Sequence, residues 1–201
     1  MFLLAAMAVS AQSPQPGQAS RKPRGPKLFV APNQPLGQGR GVHPGRVAWV
    51  HCPGVASWDG QTGLWVEDRW NSQDKADTMV NEAVSQLAGQ PHARKAWKAL
   101  FRHFNKARGR GNRTYRRGEK IAIKLNMNNA TTHHDTIDLN SSPFVTLALV
   151  RSLVKEAQVD ERDIIVCEPS RAITDSIYNK IHREFPGVTF IDNIGGDGRQ
   201  K

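Results

Sequence analysis

Apolar positions follow two rhythms along this chain, and the change between them sets its organisation. Arg46-Val47-Ala48-Trp49-Val50-His51 is rich in β-branched and aromatic residues and is bounded by Gly45 and Pro53. It predicts a first strand. A loop carrying Trp58, Asp59, Trp65 and Trp70 follows. The spacing then lengthens to that of a helix. Val80, Ala83, Val84 and Leu87 form one apolar stripe, and Trp97, Leu100, Phe101 and Phe104 form a second. Gly89-Gln90-Pro91 separates the two. Gly109 to Gly118 is a turn-rich connection with three glycines and four arginines.

Beyond Gly118 the pattern becomes regular. Glu119–Leu125 predicts a strand, Pro143–Ala157 a helix, and Asp163–Cys167 an almost wholly apolar strand. Thr174–Phe185 predicts another helix and Val188–Ile191 a last strand. Strand, helix, strand, helix, strand is the signature of a parallel sheet with right-handed crossovers. The fold class expected is α/β, a Rossmann-like open parallel sheet. Its apolar strands imply helices on both faces. The glycine-rich run Gly195–Lys201 reads as a loop, and open sheets of this kind usually have more strands. The α/β domain over 46–201 is therefore expected to be truncated at its C-terminus.

The first forty-five residues have a different character. Phe2 to Val9 is a short apolar run, and Val9-Ser10-Ala11 supplies small residues at a cleavage position. Residues 1–11 thus read as a signal peptide, itself shortened because no basic start precedes the apolar run. The expected localisation is export, periplasmic or secreted. Residues 12–45, rich in Pro, Gly, Gln and Ser, cannot bury enough apolar surface to offset ordering entropy and read as a flexible linker. Apart from the signal segment, nothing is apolar for long enough to span a bilayer.

Charge narrows the partners. The chain carries 28 Lys and Arg against 18 Asp and Glu, a formal net charge of +10. Residues 1–58 hold six of the basic residues and no acid, and residues 91–120 hold eleven with one acid, Glu119. The remainder has eleven basic against seventeen acidic residues. Basicity confined to a tail and one segment argues against a general nucleic-acid binder. Polyanion binding through residues 91–120 stays as the least favoured alternative, because that segment's aromatic residues fall on its apolar stripe and leave few for base stacking. Cys52 and Cys167 have no metal-ligand or redox spacing. Buried thiols are the simple reading, and export would also permit a disulfide between them.

Candidate chemistry gathers where strands end, since ligands of open parallel sheets bind outside the strands' carboxyl ends. The loop from Asn126 to Ser142 has seventeen residues, including four Asn, two His and two Asp. Ordinary strand-to-helix loops have about 2–6. Asn126, Asn128 and Asn129 are expected ligand contacts. Ser142 before Pro143 marks a helix start, whose free N–H groups suit an anion. Lys124, costly to bury unpaired at a strand end, either reaches an anionic ligand or pairs with Glu168. Glu168 is placed to act as general acid or base, and Ser170 and Arg171 to hold a phosphate or carboxylate. His51 and Asp192 are further candidates by position alone. His133, His134 and Asp135 are weak metal candidates, as adjacent residues rarely face one ion.

No nucleophile elbow, Walker loop or dinucleotide glycine fingerprint lies in the sheet, so ATP and NAD gain no support, and no cofactor is named. Three readings remain. One is an enzyme or enzyme half acting on a small anionic substrate, with Lys124 and Glu168 catalytic. The second is a non-catalytic ligand-binding module using the same cleft. The third is the polyanion binder described above.

The run Ile121-Ala122-Ile123-Lys124-Leu125-Asn126, the polar loop, Ser142-Pro143-Phe144-Val145, and then Asp163-Ile164-Ile165-Val166-Cys167-Glu168-Pro169-Ser170-Arg171 together resemble domain-of-unknown-function family 362. The segment around Trp49 and the helix ending Phe101-Arg102-His103-Phe104-Asn105 resemble its exported bacterial members. The resemblance spans about residues 46–192. It matches Lys124 and Asn126 to the family's lysine-x-asparagine motif, with Leu125 where many members have proline. It implies a fold similar to the N-terminal domain of nickel-dependent lactate racemases, and a site for a small anion or cofactor. It transfers no mechanism. Some members carry a cysteine-rich iron–sulfur module, and this sequence has none.

Overall fold

The chain's structure, a computed structural model, describes residues 36–201. The expected signal segment and most of the expected linker lie outside the described residues.

Three short strands, β1 (Ile121–Lys124), β2 (Ile164–Glu168) and β3 (Thr189–Asp192), form one parallel sheet in the order β1-β2-β3. Its register sets Ile123 beside Val166 and Val166 beside Phe190. Side chains alternate across a strand, so these three share a face with Ile164, Glu168 and Asp192. Val166, Ile164 and Phe190 are buried there against Leu147, Val150 and Ile177 of the covering helices. The fold is thus an open parallel α/β sheet of the expected kind.

The helices differ from expectation in placement. α3 (Pro143–Arg151) connects β1 to β2, and α4 (Asp175–Glu184) connects β2 to β3. Strand order never reverses, so crossovers of one hand put both helices on one face. The opposite face carries Ala122, Lys124, Ile165, Cys167, Thr189 and Ile191, none of which is fully buried. Cover on both faces, expected from the apolar strands, is found on one face among the described residues. Cys167 lies on that second face, and both cysteines are free thiols, partly exposed rather than buried.

The predicted first strand, Arg46–His51, is an irregular, largely exposed segment outside the sheet. Val47 is 86% and Trp49 78% exposed. Both of its flanks are held at α1 (Gln73–Ala88): His43 Nε2 meets the Ala88 carbonyl, Arg46 donates to the Gln86 carbonyl, and Ser72 N–H donates to the Val55 carbonyl. β propensity measures fit to a pleated, half-buried surface, and among the described residues no strand edge pairs with this segment.

α1 stacks on α3, and α2 (Ala93–Ala107) stacks on α1 and on the π-helical turn Ser152–Glu156 that continues α3. α1 buries Ala76, Ser85 and Ala88, small residues that let helices approach, and leaves Leu87 39% exposed. Val80 of the predicted stripe packs beside Ala76 against Phe144 and Ala148, and the packed face extends round the helix to Ser85 and Ala88. α1 starts where Ser72 Oγ accepts from Lys75 N–H and stops at Gly89, whose φ of 61° suits a left-handed cap. In α2, Trp97 and Phe101 reach the core while Phe104 stays 49% exposed.

Candidate functional site

Three loops leave the carboxyl ends of the strands and are bonded to one another. The loop after β1 closes on itself, with Asn126 N–H donating to Ser141 Oγ and Ser141 N–H to the Asn126 carbonyl. Met127, Ala130 and His133 of this loop are buried, so every third residue pins it to the core. It is tied to the loop after β2 by Ala172 N–H on the Ala130 carbonyl and Asp175 N–H on the His133 carbonyl. Asn193 N–H after β3 donates to the Arg171 carbonyl. Trp65 Nε1 donates to the Asp138 carbonyl, so the tryptophan-rich segment anchors the same loop from outside.

Glu168 sits at the centre of these ties. It is buried, and its Oε1 accepts from Ser170 N–H (3.1 Å) and Ser170 Oγ (2.7 Å). Its Oε2 accepts from Lys124 Nζ (2.8 Å) and Met127 N–H (3.3 Å). Burial pushes this carboxyl upward, but the Lys124 ammonium, the Ser170 hydroxyl and the two amides outweigh it and hold the pKa at about 2. A carboxylate held so low is a poor proton carrier near neutral pH. Glu168 is held as a carboxylate that fastens the loops after β1 and β2. Lys124 makes the expected ion pair, and with 59% of its side chain exposed it also faces outward.

Arg171 lies exposed over the junction of two loops. Its Nε donates to the Asn128 carbonyl (3.2 Å) and its Nη1 to the Ser170 carbonyl (2.9 Å). No carboxylate pairs with it among the described residues. Lys124, Ser170, Arg171 and Asn128 are thus joined through Glu168 and the loop carbonyls. Asn126 and Asn129 are exposed on the same loop, and Asn129 N–H lies 3.4 Å from Asn140 Oδ1. Ser142 is occupied in capping α3, its Oγ accepting from Val145 N–H. His51 sits on the exposed 46–51 segment, apart from these ties.

The three weak metal candidates separate. Asp135 accepts from Ser176 N–H (2.8 Å) and Ser176 Oγ (2.6 Å), capping α4 from a distant loop. His134 is exposed beside Asp175. His133 turns inward, with Nε2 3.0 Å from Asp192 and Nδ1 3.3 Å from Asp197. No group of three metal-ligating side chains converges among the described residues.

A second polar cluster at the end of β3 was only partly legible. Asp192 accepts from the N–H groups of Ile173, Ile194 and Gly195 as well as facing His133. Burial pushes its carboxyl up, and these donors bring it below the usual range. Arg199 is buried, donating to the Ile173 and Asp197 carbonyls and to Asp175 while its guanidinium stacks on Tyr178. Asp192 stands out in the sequence by its position at a strand end. Arg199 sits in a glycine-rich run that reads as loop, and nothing in its spacing marks it as buried.

Fold and site together define an open parallel α/β domain with a polar, loop-built carboxyl end. No family model matches the chain, and no curated protein or solved structure matches it either.

Proposed function

We propose that the carboxyl end of the sheet binds a small anion, with Lys124 and Arg171 as its cations and Ser170, Asn126, Asn128 and Asn129 around them. One observation carries this reading: Arg171 is held by two loop carbonyls yet has no carboxylate partner among the described residues. A guanidinium set in place without a counter-charge is suited to a planar carboxylate or a phosphate. The low pKa of Glu168 supports a binding module over an enzyme half, because a carboxylate held ionised is a poor general acid. The resemblance to domain-of-unknown-function family 362 points the same way through Lys124 and Asn126. Export rests on the apolar run before Ala11.

The test is a thermal-shift titration of the full chain with inorganic phosphate and with a small dicarboxylate. Saturating ligand at about 100 times its Kd stabilises a binding protein by roughly 2.7 kcal/mol. Stabilisation should be lost in Arg171→Ala and weakened in Lys124→Ala. Equal stabilisation of all three proteins, or none in the parent, would reject the site.

A further inference from the structure

Away from the carboxyl end, the outer edge of β1 meets α2 in a cleft of about 380 Å³. Leu100, Phe101, Phe104, Tyr115, Ile121 and Ala122 line it. Two features show that this is more than a packing defect.

The first is the strand edge. β1 is terminal in the sheet order, and only its inner side is paired. Leu125 N–H donates inward to the Cys167 carbonyl. Alternation then turns the backbone groups of Ala122 and Lys124 outward, where they have no partner among the described residues. An unpaired edge is a template for another extended chain.

The second is charge. The helix forming one wall, and the turn after it, carry Lys98, Arg102, Lys106, Arg108, Arg110 and Arg116. None has an acidic partner among the described residues. Arg110 lines the cleft itself. The two other charged liners are already matched: Glu119 with Arg113, and Lys120 with Asp163. Apolar walls, a free strand edge and one unmatched cation, Arg110, therefore meet in the cleft, with further unmatched cations on the same helix and the turn after it.

We propose that this cleft docks an extended segment of a partner protein that alternates acidic and apolar side chains, added as a strand to the outer edge of β1. Main-chain bonds to Ala122 and Lys124 would provide affinity, as in other strand additions. Apolar side chains would fill the space beside Phe101, Phe104 and Tyr115, and acidic ones would face Arg110 and its neighbours. Nucleic acid accounts for the cations but uses neither the strand edge nor a cleft whose aromatic residues lie partly in the core.

The probe is a fluorescein-labelled ten-residue peptide alternating Glu with Val and Ile, titrated into the full chain and followed by polarisation. Polyglutamate and a DNA duplex serve as competitors. The peptide should bind, with affinity falling as salt rises, and its binding should slow amide exchange at Ala122 and Lys124. Ala122→Pro removes an outward N–H while leaving the inward bonds to β2 in place. It should weaken binding at least about tenfold, as loss of a central contact does. Phe104→Asp, on a half-exposed side chain, should do the same without relying on backbone change. The proposal fails if the peptide does not bind, or if both variants bind it like the parent. It fails equally if polyglutamate or DNA competes as well as unlabelled peptide, which would make the surface a polyanion site.

Discussion

Four donors converge on the two oxygens of Glu168 and make it the fastening of the loops after β1 and β2. Its carboxyl falls from an ordinary value of 4.5 to about 2 on folding. A depressed folded-state pKa adds stability that is fully present above the unfolded value and is lost as pH drops through the folded one. The parent should therefore lose stability between pH 4.5 and about 2. Glu168→Gln should cost about 2 kcal/mol at pH 7, the worth of a hydrogen bond to a charged group, and should flatten the acid limb. Denaturant melts of both proteins across that range check it, and superimposable acid limbs would contradict it.

At the scale of elements, the three strands and the helices between them were legible because local pattern and tertiary burial agree. Ile164 and Val166 are apolar and fully buried, and Ser142-Pro143 both reads and acts as a helix start. Arg46–His51 was misread because strand propensity needs a neighbouring edge, which the sequence does not reveal. Of the stripe predicted for α1, Val80 packs inward beside Ala76 while Leu87 stays exposed. A stripe judged by size favours Leu87 as much as Val80, whereas close contact with α2 and α3 also buries the small Ser85 and Ala88. The site followed the same division. Positions on strand ends, such as Lys124 and Glu168, were visible, while Arg199 and the cap from Asp135 depend on contacts remote in sequence. The burial of Ala88 beside an exposed Leu87 makes a direct prediction. Leu87→Ala should cost less than about 1 kcal/mol, as at a surface position. Ala88→Leu should cost about 1–3 kcal/mol by overpacking. Thermal melts of the two variants would reverse this order if the predicted stripe were the packed one.

For the molecule as a whole, charge and topology divide the surface into two regions. The carboxyl end of the sheet gathers anchored carboxylates with Lys124 and Arg171 at their margin. The α2 region carries cations without partners beside an unpaired strand edge. A small anion has both to choose from, and the proposed site is the first. Nitrogen-15 NMR of the full chain during titration with inorganic phosphate distinguishes them most directly. Saturable shifts should cluster at residues 126–129 and 168–171, including the Arg171 Nε–H signal, and should vanish in Arg171→Ala. Shifts confined to residues 94–117, or a spectrum that phosphate leaves unchanged, would contradict an anion site at the carboxyl end of the sheet.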